Sequence, residues 1–314
     1  MTTRTDSMAR AAGSSPSTGG PIFLVGPARS GTSLLYKVLC LHEQASYVSN
    51  WNARFPRRTA LASLNRAARR MPELQRRVWF GSDGANAYVY GRRRPLRERM
   101  FPMPVEGEPV FAASGVPQSG EPADPDAAAA SLRRAVARIG AASGGSVFVN
   151  KRIANIRRIP FLASTFPGAR FVALVRDGRA VALSLSTVDW WPDHHVEWYG
   201  GTPTQWAAAG RDPWELCARN WVEELEVMEA GLAQLPPARV LRLTYEELID
   251  DAVPQLERIA RFGGLDPTPA WAHRVDALAF PNRNDRWRTA LDEEALGTIL
   301  RMQEPTLKDH GYET

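Results

Sequence analysis

Residues 21–39 run from an apolar stretch, Ile22-Phe23-Leu24-Val25, through Gly26-Pro27-Ala28-Arg29-Ser30-Gly31 into Thr32-Ser33-Leu34-Leu35-Tyr36-Lys37-Val38-Leu39, whose apolar positions recur at helical spacing. A short buried strand feeding a helix through a glycine-containing turn is how a phosphate-cradling loop is built. The small residues let the backbone approach the ligand, and the N–H groups of the helix's first turn point at its oxygens. The hydroxyls of Ser30, Thr32 and Ser33 add donors and Arg29 adds charge, so the ligand is expected to be an anion. A nucleoside-triphosphate loop has the form G-x-x-x-x-G-K-[ST]. Gly26 and Gly31 have that spacing, but Thr32 stands where the lysine belongs, and no apolar strand ends in a convincing magnesium-binding aspartate. A metal-free, diphosphate-like ligand suits the loop better than ATP.

A second strand–turn–helix segment spans residues 170–187, with Arg176 at the carboxyl end of its strand and Ser184 eight residues on. Parallel sheets bind ligands at that edge. Two helical turns bring the Ser184 hydroxyl back toward the phosphate that Arg176 would hold. Two separate phosphate binders suggest a nucleotide with phosphates at both ends.

These segments resemble the PAPS-dependent sulfotransferases, whose donor is 3′-phosphoadenosine 5′-phosphosulfate (PAPS). Arg29, Ser30, Gly31, Thr32 and Ser33 match the family's 5′-phosphosulfate loop; Arg176 and Ser184 match its 3′-phosphate element. Asn150-Lys151 is similar to the strand end of the tyrosylprotein and glycan branches, where the lysine faces the transferring sulfuryl group. Leu243 to Leu248 is similar to a segment whose tyrosine, here Tyr245, lies near the donor. Arg286-Trp287-Arg288 and Gly311-Tyr312 resemble the terminal segment. The resemblance covers roughly residues 20 to 312. It implies a P-loop-like α/β fold, PAPS as donor, its product 3′,5′-adenosine bisphosphate (PAP), no metal, and Arg29 and Lys151 as catalytic residues, with Arg286 and Arg288 near the donor. Two departures stand out. The glutamate that tyrosylprotein-type members carry about twenty residues after the loop arginine is absent from Ser49-Asn50-Trp51-Asn52, and Val188 replaces a second arginine of the 3′-phosphate helix. Arg179 or the C-terminal arginines are candidates to compensate for the latter.

For the general base, the adjacent His194 and His195 titrate in the right range; Asp189, Asp193, Glu106 and Glu108 are rivals. His42 is expected to cap the phosphate-loop helix. Residues 189–214 carry Trp190, Trp191, Trp198, Tyr199, Trp206 and Trp214, either as a platform for a sugar, polyketide or lipid acceptor or as packing for a long loop. Trp51 or the strip 282–288 would supply adenine contacts.

At 314 residues and 44% hydrophobic, the chain can bury one large core. Strands alternating with helices imply a parallel sheet with helices on both faces. The expected elements are strands at 21–25, 146–150, 170–175 and 238–243, and helices at 30–41, between 58 and 80, and at 126–140, 155–165, 178–187, 213–234, 253–263 and 292–309. Residues 91–125 read as irregular. The organisation expected is a disordered tail over 1–19 and one domain over 20–314, with acceptor-side insertions near 51–125 and 189–214.

Thirteen arginines lie between Arg54 and Arg99 in a chain of net charge +5. Such a stretch suits an anionic acceptor, a membrane surface or nucleic acid, or is a solvated face, since lysine is scarce throughout. No nucleic-acid module accompanies it. Two cysteines cannot make a disulfide framework, and neither a signal segment nor a membrane span is evident, so a cytoplasmic enzyme is expected. The partner is then a small-molecule, lipid or glycan hydroxyl acceptor. Other readings of the same loop are a P-loop kinase or NTPase, and a non-catalytic module holding nucleotide or anionic glycan.

Overall fold

The computed structural model describes residues 19–81 and 95–314; most of the N-terminal segment expected to be disordered, and Arg92, Arg93 and Arg94, lie outside the described residues. Five parallel strands form one sheet: β1 (Ile22–Val25), β2 (Ala45–Ser46), β3 (Val147–Lys151), β4 (Arg170–Val175) and β5 (Val240–Thr244), in the spatial order β2-β3-β1-β4-β5. The central strand β1 pairs with β3 through Phe23↔Asn150 and with β4 through Leu24↔Val172. All of β1 is buried because helices cover both faces, which is why its sequence is uninterrupted apolar rather than alternating.

Alternate residues of the strands point into two cores. Phe23, Val25, Phe148, Phe171 and Ala173 face one, and Ile22, Leu24, Val149, Val172 and Leu174 the other. Helices close these layers, among them α1 (Thr32–Cys40), α2 (Pro125–Ser143), α3 (Gly178–Ser186), α4 (Pro213–Leu232), α5 (Ala252–Gly263) and α6 (Glu293–Asp309). Nine-residue helices are not stable alone in water. What holds α1 is burial of Leu35, Val38 and Leu39, each worth about 1.5–3 kcal/mol. Asp124, Asp177, Asp212 and Asp292 accept backbone N–H bonds at the starts of α2, α3, α4 and α6.

The expected helix 30–41 starts only at Thr32, because Ser30 and Gly31 belong to the loop. The Thr244–Glu247 capping box forms, and Gly264 ends α5 in the left-handed region. The expected helix 155–165 is divided into a 3-10 turn at Ile153–Ile156 and a helix at Ile159–Thr165. Several elements were not anticipated: the two-residue β2, and short helices at Asn50–Arg54, Leu96–Met100, Glu108–Ala113, Pro203–Ala208 and Pro269–Asp276. Within 51–125, Ala62, Ala68, Val78, Trp79 and Phe80 are fully buried, so part of that stretch is core. The His42 ring does not cap α1; it bonds the Asp266 carbonyl at 2.6 Å.

Arg158 fixes the loop that carries Glu106. Its fully buried guanidinium grips both oxygens of Glu108, at 2.7 and 3.0 Å, and donates to the Pro117 carbonyl at 2.9 Å. Removing one partner of a buried pair leaves the other charge uncompensated. We expect Arg158→Leu to cost about 3 kcal/mol in urea unfolding, and wild-type stability would show that the pair does not anchor this loop.

Candidate functional site

The loop at 26–33 is held in a conformation that its residues alone do not favour. Arg29 has φ 69°, the only positive value at a non-glycine among the described residues, and Gly31 has φ 88°. An αL conformation at an arginine costs of order 1–3 kcal/mol and persists only where its surroundings enforce it. Here the Arg29 carbonyl accepts from Arg176 Nη1 at 3.2 Å, and beneath the loop the Ala28 N–H donates to Glu224 Oε2 at 2.7 Å. Burial raises the Glu224 pKa against the opposing pull of that N–H and of Arg157. A Cβ on Gly31 would lie 2.6 Å from Cδ2 of the Tyr245 ring, so this ring seals the loop's side. The Ser30 hydroxyl is buried and has no hydrogen-bond partner among the described residues.

Arg176, at the carboxyl end of β4, links four parts of the chain. Beyond the Arg29 carbonyl it donates to Asn284 Oδ1 at 3.1 Å and to the Arg283 carbonyl at 3.0 Å, and it lies 4.4 Å over the Tyr245 ring. Its own carbonyl accepts from Trp221 Nε1 at 3.1 Å. Ser184, on α3, accepts from Arg29 Nε at 2.8 Å, so residues matched to opposite ends of the donor touch each other here. Around them is a cavity of about 290 Å³ lined by Arg29, Gly31, Arg176, Ser184, Thr187, Tyr245, Arg283, Arg286 and Trp287, among others.

Arg288 does not line this cavity. It pairs with Asp285 at 3.2 Å and lies over the Trp287 ring, 4.5 Å from its centre. Arg283, which the sequence did not single out, takes the cavity position. Arg179 is occupied by Asp177 at 2.9 Å and packs 4.3 Å from the Trp287 ring. Trp51 lines neither this cavity nor the next, and bonds the Met100 carbonyl at 2.9 Å. Trp287 comes instead from the 282–288 strip; its Nε1 is buried without a hydrogen-bond partner among the described residues.

A second cavity, of about 750 Å³, shares Arg29 and Arg283 with the first. Ser33, Lys151, Glu106, Asp189 and His194 are also in its wall. Lys151 Nζ meets Glu106 Oε1 at 2.6 Å, and Arg152 meets Oε2 at 2.8 Å. Asn150 donates to the Glu106 carbonyl at 3.0 Å and is itself oriented by Asn155 at 2.8 Å. Burial alone would raise the Glu106 pKa, but Lys151 and Arg152 outweigh it and hold the carboxyl below its usual range. The stretch without the family glutamate is structural: Ser49 and Asn52 form a capping box, and Asn50 donates to the Arg99 and Phe101 carbonyls.

His194 is half-buried, stacked 5.6 Å from Trp191 and edge-on to Trp190 at 5.2 Å. Burial, then the nearby Arg152 and Arg157, lower its pKa below 6.5, so the imidazole is neutral at pH 7. His195 is exposed and lines a smaller cavity of about 250 Å³ that shares His194 and Arg157 with the second one and also contains Glu197, Glu223 and Glu224. Among the aromatic residues of 189–214, Trp190 alone lines the larger cavity. Trp191 and Trp206 are buried, and Trp198, Tyr199 and Trp214 pack against the same core; these rings anchor the insertion rather than form a platform.

A sequence profile of the sulfotransferase family matches residues 21–269, most of the chain. The chain belongs to the sulfotransferase family. Its fold is similar to sulfotransferase STF9 from Mycobacterium avium, with a TM-score of 0.58 at 15% identity over 94% of this chain and 78% of that one. It is also similar to sulfotransferase STF1 from Mycobacterium tuberculosis H37Rv, with a TM-score of 0.53 at 18% identity over 90% and 76% of the two chains. At such identities the likeness is one of fold. The family membership places the loop at 26–33 and the end of β4, the features described above, inside the matched region.

Because an added methyl at Gly31 would meet the Tyr245 ring while the backbone stays in the left-handed region, Gly31→Ala should lose about 1–2 kcal/mol of stability. Urea unfolding measures this, and a variant as stable as wild type would contradict the close approach.

Proposed function

We propose that the chain transfers a sulfuryl group from PAPS to the hydroxyl of a small-molecule, lipid or glycan acceptor, leaving PAP. The observation that carries this reading is that Arg29, on the loop at 26–33, lines both cavities together with Arg283, so the donor and acceptor spaces meet at these two guanidiniums. The smaller cavity suits the donor. Its wall contains Arg176, Ser184, Arg283 and Arg286, and the orphaned Ser30 hydroxyl and Trp287 N–H are polar groups that a phosphate-bearing nucleotide would satisfy. The roles of Thr32 and Ser33 follow from their places in the first turn of α1, whose N–H groups carry the positive end of the helix dipole. Tyr245 supports the loop from the side.

The larger cavity suits the acceptor. Arg29 and Lys151 stabilise the charge that develops on the leaving phosphate as its bond to sulfur breaks and the acceptor oxygen takes its place. Glu106 fixes Lys151 in that position. His194, neutral and in the same wall, accepts the proton of the acceptor hydroxyl; His195, which is not in that wall, is the weaker candidate. Glu106 is the poorer base because two cations hold its pKa down. No described helix is long and apolar enough to cross a membrane, and a cytoplasmic site of action remains part of this proposal.

Sulfated product from PAPS and a panel of hydroxyl acceptors tests the reading. Lys151→Ala should lower turnover about 10²- to 10³-fold with the fold retained, and a loss smaller than ten-fold would remove Lys151 from the chemistry. A protonated His194 cannot accept the hydroxyl proton, so kcat/KM should be flat in the neutral range and fall as the pH drops through the lowered His194 pKa. His194→Asn should abolish that acidic limb. A limb that survives the substitution would transfer the base role to a carboxylate such as Glu106.

A further inference from the structure

The charge of the acceptor cavity is lopsided. Its wall contains five cationic side chains against two carboxylates. One of those carboxylates, Glu106, is already shared between Lys151 and Arg152. Arg29 and Lys151 are accounted for by the transfer chemistry, and Arg152 also pairs with Glu108 at 3.1 Å. Arg157 is different. Its side chain is 20% exposed, and among the described residues its nearest carboxylate is Glu197 at 3.7 Å, beyond hydrogen-bond range. Among the described residues its hydrogen bond to the protein is long, from Nε to the Gln118 carbonyl at 3.4 Å. Glu224, on α4, also faces it, but that carboxylate is engaged by the Ala28 N–H beneath the phosphate loop. A guanidinium largely removed from water, with only a loose ion pair to Glu197 and a long hydrogen bond, is a costly arrangement that a ligand anion would relieve.

We propose that the acceptor bears, besides its hydroxyl, an anionic group of the carboxylate type that seats against Arg157 at the His194 end of the large cavity. This inference rests on the reading of that cavity as the acceptor site. Arg152 and Arg157 flank the 3-10 turn Ile153–Ile156, and both lie close enough to His194 to oppose its protonation. An anion held there relieves the repulsion between the two guanidiniums, and Val105, Ile153 and Val188 in the wall receive an apolar body between the two polar ends. The acceptor is thus an amphipathic hydroxy acid rather than a neutral alcohol or phenol. The acid group acts as a handle that orients the hydroxyl toward Arg29 and Lys151.

The test is calorimetric, with matched pairs titrated into protein saturated with PAP and into PAP-free protein. The pairs are para-hydroxyphenylacetate against para-cresol, and omega-hydroxydecanoate against decanol. The carboxylate member should bind about ten-fold or more tightly than its neutral partner, the scale of one charge-assisted contact. Arg157→Ala should reduce that preference to within about three-fold, and Arg157→Lys, which keeps the charge but not the fork, should retain part of it. Equal binding within each pair, binding of neither member, or a preference that persists in Arg157→Ala would overturn the proposal. PAP titration in the same variants separates the two levels: PAP binding with no carboxylate preference refutes only the acceptor class, whereas absence of PAP binding refutes the donor reading.

Discussion

The guanidinium of Arg176 is the interaction on which the site depends. Strand β4 delivers it to the carboxyl edge of the sheet, where it ties the Arg29 carbonyl, the 283–284 turn and the Tyr245 ring to one another. A loop with an αL arginine at its centre needs such external support, and the second support is Glu224 under Ala28. The smaller cavity is therefore built from segments far apart in sequence that meet around one planar cation. Arginine rather than lysine suits this place, because a rigid fork can serve several carbonyls at fixed angles.

A second electrostatic chain organises the larger cavity. Lys151 and Arg152 leave the end of β3 and share Glu106; Arg152 and Arg158 share Glu108. Alternating charges of this kind hold the loop before the Glu108–Ala113 helix against the sheet edge. Each carboxylate is satisfied by two cations, which offsets the cost of burying it. The outcome is a lysine fixed beside the phosphate loop and a carboxylate whose basicity is suppressed, leaving a neutral imidazole as the better proton acceptor in the same cavity.

Much of the fold was legible because its signals are local. β1 and β4 are short apolar runs bounded by glycine and charge, and the capping box at Thr244 and the glycine stop at Gly264 lie within a few residues of the ends they define. The phosphate loop shows itself for the same reason: small residues and hydroxyls in one turn have few other uses. β2 was not legible, since two residues have no period, and the helix at Pro269–Asp276 announces itself only by Thr268 before a proline. In the site, Glu106 was one acid among several until the fold brought it to Lys151. Arg283 lies in a turn with no periodicity and was passed over in favour of Arg288, which points outward to Asp285. The tryptophans of 189–214 carry the same sequence signal whether they face a ligand or a core. Burial decided for the core at most of them, while Trp190 stays in the wall of the larger cavity and Trp198 in that of the smallest.

The central claim is that one nucleotide with phosphates at both ends sits between the loop at Arg29 and the end of β4. Calorimetric titration of the protein with PAP, and separately with ADP plus magnesium, repeated on Arg176→Ala, tests it most directly. The account predicts that PAP binds without metal, in preference to ADP, and that the substitution weakens it strongly. No binding of PAP, or a preference for ADP with magnesium, would contradict it.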